Sequence, residues 1–152
     1  MPSRVLSGPA FGQASYDSDF YSWALEQADL LRSRRFADAD WEHIAEELES
    51  LAKSDRRALA SHVGTIIEHL LKLRASQDRE PRRQWRVSVR HARRAVNKLL
   101  EDSPSLRREL PAIILDEAED ARRNVAELLE CDESLLAGSF DASDVLDAAL
   151  PD

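Results

Sequence analysis

The sequence has 152 residues, of which 43% are hydrophobic and 33% are charged, a balance that excludes a disordered polymer and a membrane-embedded chain. Only four glycines occur, and valine and threonine rarely alternate with polar residues, which argues against a large β-sheet. The formal net charge of −8 disfavours nucleic acid and anionic membranes as partners, because both attract cationic surfaces.

The N-terminal region is predicted to be a flexible arm followed by a first helix. Residues 1–15 hold prolines, glycines and serines without any periodicity. A short acceptor side chain within residues 16–19 can cap the free N–H groups of a helix that ends near Arg34 and Arg35. One face of this helix is expected to point inward and consists of Phe20, Trp23, Ala24, Gln27 and Leu31.

A second, much longer helix is predicted to begin under Asp38 or Asp40 and to run to Arg74. Its apolar stripe keeps close to the 3.6-residue period and consists of Trp41, Ala45, Leu48, Ala52, Leu59, Val63, Ile66, Leu70 and Leu73. If unbroken, this helix would be about 50 Å long at the standard rise per residue. It therefore either bends near Asp55 or makes the molecule elongated, and an elongated molecule would favour a dimer that covers the exposed stripe.

Proline marks the boundaries of the third and fourth helices. Pro81 suits the first turn of a third helix, because proline is tolerated there and not inside a helix. Its inward stripe is Trp85, Val89, Ala92, Val96 and Leu99, and its outer face is arginine. Ser103 and Pro104 signal a stop and a new start, and a fourth helix runs from about Pro111 to Glu130. The inward face of that helix is Ile114, Ala118, Ala121, Val125 and Leu128.

Four or five helices joined by short turns predict an all-α fold, an antiparallel helical bundle with a long second helix. We expect a flexible arm over residues 1–15, a bundle domain over residues 16–137, and a short C-terminal helix or tail over residues 138–152 that Ser143 caps. The aromatic side chains expected to anchor the core are Phe20, Trp23, Trp41 and Trp85.

Three segments of the chain resemble one known family. The segments are YDSDFYSWALEQADLLRSRRFADAD, then AEELESLAKSDRRALASHVGTIIEHLLKLR, then WRVSVRHARRAVNKLLEDSPSLRREL, and the resemblance built on them extends over about residues 16–125. In this order and with these gaps they are similar to the bacterial family known as domain of unknown function 29. The tail around residues 140–146 is only a loose counterpart of the family's usual tail, which is richer in proline and aromatics. The resemblance implies a small, all-helical, cytoplasmic bacterial protein, and it supplies no reaction, ligand or catalytic residue.

The four histidines raise the question of a metal site. His43 and Glu46 are spaced for one helix face, and His69 lies beside the apolar stripe, where a buried imidazole would need a partner. A mononuclear site with His43, Glu46 and His69 as weak candidate ligands is sterically allowed. Glutamates near the start of a helix are nevertheless typical of an exposed, solvated face, so we expect no cofactor.

An arginine-rich face dominates the third helix. Residues 79–94 carry seven arginines and one acid, whereas residues 38–50 and 116–133 are acidic. The candidate interaction residues at helical spacing are Arg82, Arg86, Arg90 and Arg93. Ion pairing within the molecule or between subunits is the favoured interpretation. A phosphate backbone or an acidic protein partner is the alternative.

No catalytic motif stands out. The sequence lacks a glycine-rich phosphate loop, a nucleophile elbow, a CxxC pair and an HExxH motif. Its single cysteine, Cys131, excludes an intramolecular disulfide and fits a reducing, cytoplasmic compartment. We therefore expect a non-enzymatic protein-interaction or regulatory module that acts as a homodimer or with a protein partner. We expect no association with a membrane. Nucleic-acid association through the face from Arg82 to Arg94 and a metal-binding bundle are the alternatives.

Overall fold

The computed structural model describes residues 15–76 and 79–151. These residues form five α-helices and no strand, which confirms the all-α prediction. The helices are α1 (Phe20–Arg32), α2 (Trp41–Ala75), α3 (Arg79–Asp102), α4 (Leu110–Leu129) and α5 (Ala142–Leu146). Short 3₁₀ turns lie between them at Phe36–Asp38, Pro104–Arg108 and Glu133–Leu136. The predicted N-terminal arm lies outside the described residues except for Ser15.

Helix α2 is one unbroken helix of 35 residues, which decides between the predicted alternatives of one helix or two. The chain divides into two compact units, residues 1–51 and 52–152, and the boundary falls inside this helix. Composition gives no sign of that boundary, because no glycine, proline or serine-rich linker interrupts the helix there. The predicted separation of residues 138–152 from the bundle stays a prediction.

The N-terminal cap of α1 lies where the sequence predicted it, whereas the N-terminal cap of α5 does not. Asp19 caps α1, because its carboxylate accepts from the backbone N–H of Ser22 at 3.1 Å, as predicted. Helix α5 begins under Asp141 and not under Ser143. Asp141 accepts from the N–H of Asp144 at 3.0 Å and the Asp144 carboxylate accepts from the N–H of Asp141 at 2.9 Å. This reciprocal capping box satisfies two free N–H groups, which one serine two residues later would not.

The second unit contains one hydrophobic core, to which α2, α3, α4 and α5 all contribute. The predicted inward residues of α3 and α4 are buried or half-buried, with one exception. Leu128 is exposed, because the last turn of α4 packs Leu129 against the core in its place. The largest fully buried side chains of the core are Leu59, Ile66, Ile67, Leu100 and Ile113.

The predicted inward stripe of α2 is buried over only part of its length. From Leu59 to Leu73 its members are buried, whereas Trp41 and Leu48 are 52% and 63% exposed. The expectation that Phe20 and Trp41 anchor a core is therefore wrong, although Trp23 is buried and Trp85 is half-buried. A periodic pattern shows which face of a helix is apolar, but it does not show what covers that face.

Candidate functional site

A polar and aromatic cluster holds the start of α2 against α1 in the first unit. The Asp40 carboxylate accepts from Trp23 Nε1 at 3.3 Å and from His43 Nδ1 at 2.7 Å. The Asp40 backbone N–H donates to Gln27 Oε1 at 2.8 Å. Trp23 and Gln27 are the buried side chains of α1, so both of them bond to the residue that precedes α2. The cluster therefore fixes the position of the first turn of α2.

Tyr16 closes this cluster on its outer side. Its ring stacks on the His43 imidazole with 4.1 Å between ring centroids, and its hydroxyl donates to the Glu47 carboxylate. The hydrogen bond from His43 lowers the pKa of Asp40, and the same bond raises the pKa of His43. The hydrogen bond to Glu47 raises the pKa of Tyr16 to about 12. With Nδ1 of His43 engaged and its ring covered by Tyr16, the imidazole stabilises the packing of the two helices.

The first unit also exposes most of its large hydrophobic side chains. These are Phe20, Tyr21, Leu25, Phe36, Trp41, Leu48 and Leu51. On α2 the residues Trp41, Ile44, Leu48 and Leu51 follow one another at intervals of three and four, and we name this set the α2 stripe. Ile44 is half-buried, and the other three members are at least 52% exposed. Exposed apolar side chains grouped on one helix face are typical of a contact surface.

Three of the four predicted interaction arginines bind backbone carbonyls of neighbouring segments. Arg82 donates to the carbonyl of Leu73 at 2.6 Å and thereby satisfies the C-terminal end of α2. Arg93 donates to the carbonyls of Asp144 and Ala148 at 2.6 Å and 2.8 Å. The guanidinium of Arg86 donates to the carbonyl of Pro151. The arginines that the sequence predicted to face outward therefore donate, in part, to backbone carbonyls of the same chain.

Arg90, the fourth of these residues, is exposed together with Arg83 and Arg94. Among residues 15–76 and 79–151, the structure shows no hydrogen bond or ion pair for these three side chains. A shallow depression of about 380 Å³ lies between Arg82, Arg83, Arg86 and Arg90. This exposed subset is what remains of the predicted basic surface.

The three candidate metal ligands do not come together. His43 and His69 belong to the same helix and are 26 residues apart in the sequence. His69 Nδ1 bonds the backbone carbonyl of Thr65 at 2.8 Å, which supplies the partner that the sequence required. Glu46 is exposed. Within the described residues, no three histidine, cysteine or carboxylate side chains are grouped as metal ligands.

One polar feature of the second unit has no counterpart in the sequence analysis. The Glu117 carboxylate of α4 lies against Gly64 of α2, in the space where any other residue would place its Cβ atom. Burial raises the pKa of Glu117, and the neighbouring carboxylates of Asp120 and Asp116 raise it further. A glycine in the middle of a long helix was the available signal, because such a glycine often permits a close approach.

No described helix is both long and apolar enough to cross a membrane.

No curated protein and no solved structure matches the chain. One family model, Domain of unknown function DUF29, matches residues 15–149, a range that contains all five α-helices. This match extends the resemblance of the three helical segments into the C-terminal region, which the sequence had left as a loose counterpart. The chain therefore belongs to the DUF29 family of domains of unknown function.

Proposed function

We propose that this protein is a non-enzymatic protein-interaction module and that the α2 stripe is its contact surface. The observation that carries the proposal is the exposure of Leu48 and Leu51, which are 63% and 64% accessible. Leu59 and Val63 lie further along the same helix and are fully buried. Full burial of one such side chain stabilises an assembly by about 1.5–3 kcal/mol, so an uncovered stripe favours association.

The geometry of the first unit supports a preformed surface. Trp41 stands at the start of α2, directly after the cluster built on Asp40. Its indole Nε1 donates to the backbone carbonyl of Phe36 at 2.8 Å, which orients the ring while half of it stays exposed. A surface that is already ordered loses less conformational entropy when a partner binds.

Site-specific photo-crosslinking in the cells that make the protein tests this proposal. A benzoylphenylalanine in place of Leu48 is expected to give a discrete adduct. Leu115 of α4 is the matched control, because it is a leucine on a helix with 73% exposure outside the stripe. Absence of an adduct at position 48, or equal adducts at both positions, would contradict the proposal.

Nucleic-acid association is a second candidate, and it now depends on Arg83, Arg90 and Arg94. These side chains are exposed on one helix and have no partner in the described part of the chain, so they are available to phosphates. Arg90→Glu combined with Arg94→Glu is expected to abolish a salt-sensitive mobility shift of DNA or RNA. No shift of the unmodified protein at low salt would end this candidate.

Two further expectations concern the location of the protein and metal binding. A cytoplasmic location is supported by the single cysteine, because reducing compartments keep thiols free. A metal site at His43 or His69 would need ligands beyond those that the described residues group together.

A further inference from the structure

We infer that the α2 stripe binds a second copy of this chain, with the two α2 helices antiparallel. This inference rests on the proposed function and names the partner of the same surface. Three features of the sequence and structure carry it: the spacing of the stripe, the residues that border it and the order of charges along α2.

The spacing of the stripe selects a helix as its partner. Trp41, Ile44, Leu48 and Leu51 occupy the a and d positions of two successive heptads. Such a seam repeats every 3.5 residues and interdigitates with a helix that has the same repeat. A two-fold axis offers this at once, because it places the same surface patch on both partners.

The borders of the stripe allow two copies to approach. Ala45 and Ala52 occupy the flanking e positions, and both are small and exposed. On the other border, Glu47 is the residue that accepts from Tyr16 in its own chain. The seam is thus free of a row of like charges that would face itself across a two-fold axis.

The order of charges along α2 selects the antiparallel arrangement. The helix begins with acids at residues 42, 46, 47 and 49 and continues with Lys53, Asp55, Arg56 and Arg57, so its charge changes from acidic to net basic. A parallel pair would place acid beside acid, which is unfavourable. An antiparallel pair centred between Leu48 and Leu51 places Glu42 of one copy near Arg57 of the other, whereas Arg56 pairs with Glu109 of its own chain at 3.3 Å. The start of one helix and the basic segment of the other then carry opposite charges.

Sedimentation velocity of the full chain over a range of concentrations tests the inference. The unmodified protein is expected to sediment as a species of twice its 17.2 kDa mass at high concentration. Leu48→Asn is expected to weaken self-association at least tenfold, and Leu115→Asn to leave it unchanged. Both positions are exposed, so circular dichroism should report equal helix content for the two variants. A monomer at every concentration up to about 0.5 mM, a range in which even weak interfaces associate, would overturn the inference.

The orientation of the helices has its own measurement. A spin label at Glu42, in a Cys131→Ser background, reports the distance between the two copies. In the antiparallel pair each label lies about 11 Å of helical rise from the two-fold axis, and the helix axes are about 10 Å apart, so the labels are separated by about 25 Å. A parallel pair brings them to about 10 Å. The shorter distance would overturn the antiparallel arrangement. If the protein stays monomeric and its photo-crosslinked adduct does not have twice the mass of the chain, the partner is not a second copy. That result would overturn this inference and still support the proposed interaction module.

Discussion

Asp40 joins α1 to α2 through one carboxylate and one backbone N–H group. Its Oδ2 accepts from an indole and an imidazole, and its backbone N–H donates to an amide oxygen. Its Oδ1 accepts from the backbone N–H of His43 and its carbonyl from that of Ile44, so every polar atom of Asp40 has a partner. The sequence allowed a cap at this position, because aspartate before a helix is a common signal. The bond to Trp23 could not be predicted, since it depends on how two helices lie against each other.

The coupling of His43 to Asp40 predicts a pH dependence. The raised pKa of His43 means that its contribution to stability is complete below the ordinary histidine pKa of about 6.5 and is lost as pH rises through the folded value. The lowered pKa of Asp40 gives a contribution that is present above about 3.9 and is lost as pH falls through its folded value. An NMR titration of His43 should therefore show a midpoint above 6.5.

Asp40→Asn is the test of the cause. The asparagine keeps a side-chain oxygen as a helix cap but removes the charge, so the midpoint of His43 should return toward its ordinary value. An unchanged His43 midpoint in the variant would show that Asp40 does not set it.

At the scale of single elements, α3 is stabilised by arginines that end on carbonyl groups. Arg93 is half-buried, and desolvation lowers its pKa while Asp147 and Asp144 raise it. Such a residue contributes through charged hydrogen bonds, each of about 1.5–3 kcal/mol, and not only through long-range attraction.

Arg93→Ala is expected to destabilise the protein by about 1–3 kcal/mol, because it removes the bonds to Asp144 and Ala148. Arg94→Ala is the matched control on the next residue of α3, which is exposed, and it should change stability by less than about 0.5 kcal/mol. Urea unfolding followed by circular dichroism measures both. Equal effects of the two substitutions would show that the hydrogen bonds of Arg93 to these carbonyls do not stabilise the fold.

The two parts of the apolar face of α2 predict different costs for the same substitution. Leu59 is fully buried, so Leu59→Ala should cost about 2–5 kcal/mol through lost contacts and a cavity. Leu48→Ala should cost less than about 0.5 kcal/mol at dilute, monomeric concentration, because that side chain is exposed. Denaturant unfolding at low concentration compares them, and similar losses would show that Leu48 is buried in solution.

These two leucines also show how far the sequence reached. Periodicity placed both on one apolar face, and the helix, its capped start and the burial of Leu59 followed. The exposure of Leu48 could not follow, because covering a face requires a second element, and no periodic pattern says where that element lies. For the same reason, the arginines of α3 were recognised as a group while their carbonyl partners were not.

On the scale of the whole molecule, the two units differ in how much apolar surface they bury. Within residues 15–51, the buried hydrophobic side chain is Trp23, whereas the second unit contains a core to which four helices contribute side chains. Each unit therefore has its own expected local stability, since buried apolar contacts resist opening. A mixture of aromatic stacking and polar bonds stabilises the first unit.

Hydrogen exchange should separate the units. The amides of α1 and of residues 44–51 are expected to exchange at least tenfold faster than those of residues 63–73, because few buried contacts oppose their opening. Measurement by NMR or mass spectrometry on a dilute sample avoids protection by self-association. Uniform protection along the whole of α2 would contradict this difference.

The carbonyl partners of α3 have a practical consequence for anyone preparing this protein. Arg86 and Arg93 find acceptors within residues 144–151, a segment that also carries Asp144 and Asp147. Proteolytic trimming before Asp141 would remove these carbonyl acceptors and both carboxylates, and would leave the side of α3 that carries Arg93 more basic. Such a shortened sample would bind heparin or contaminating nucleic acid as a result of the cleavage itself, so intact mass should be checked before any affinity for polyanions is interpreted.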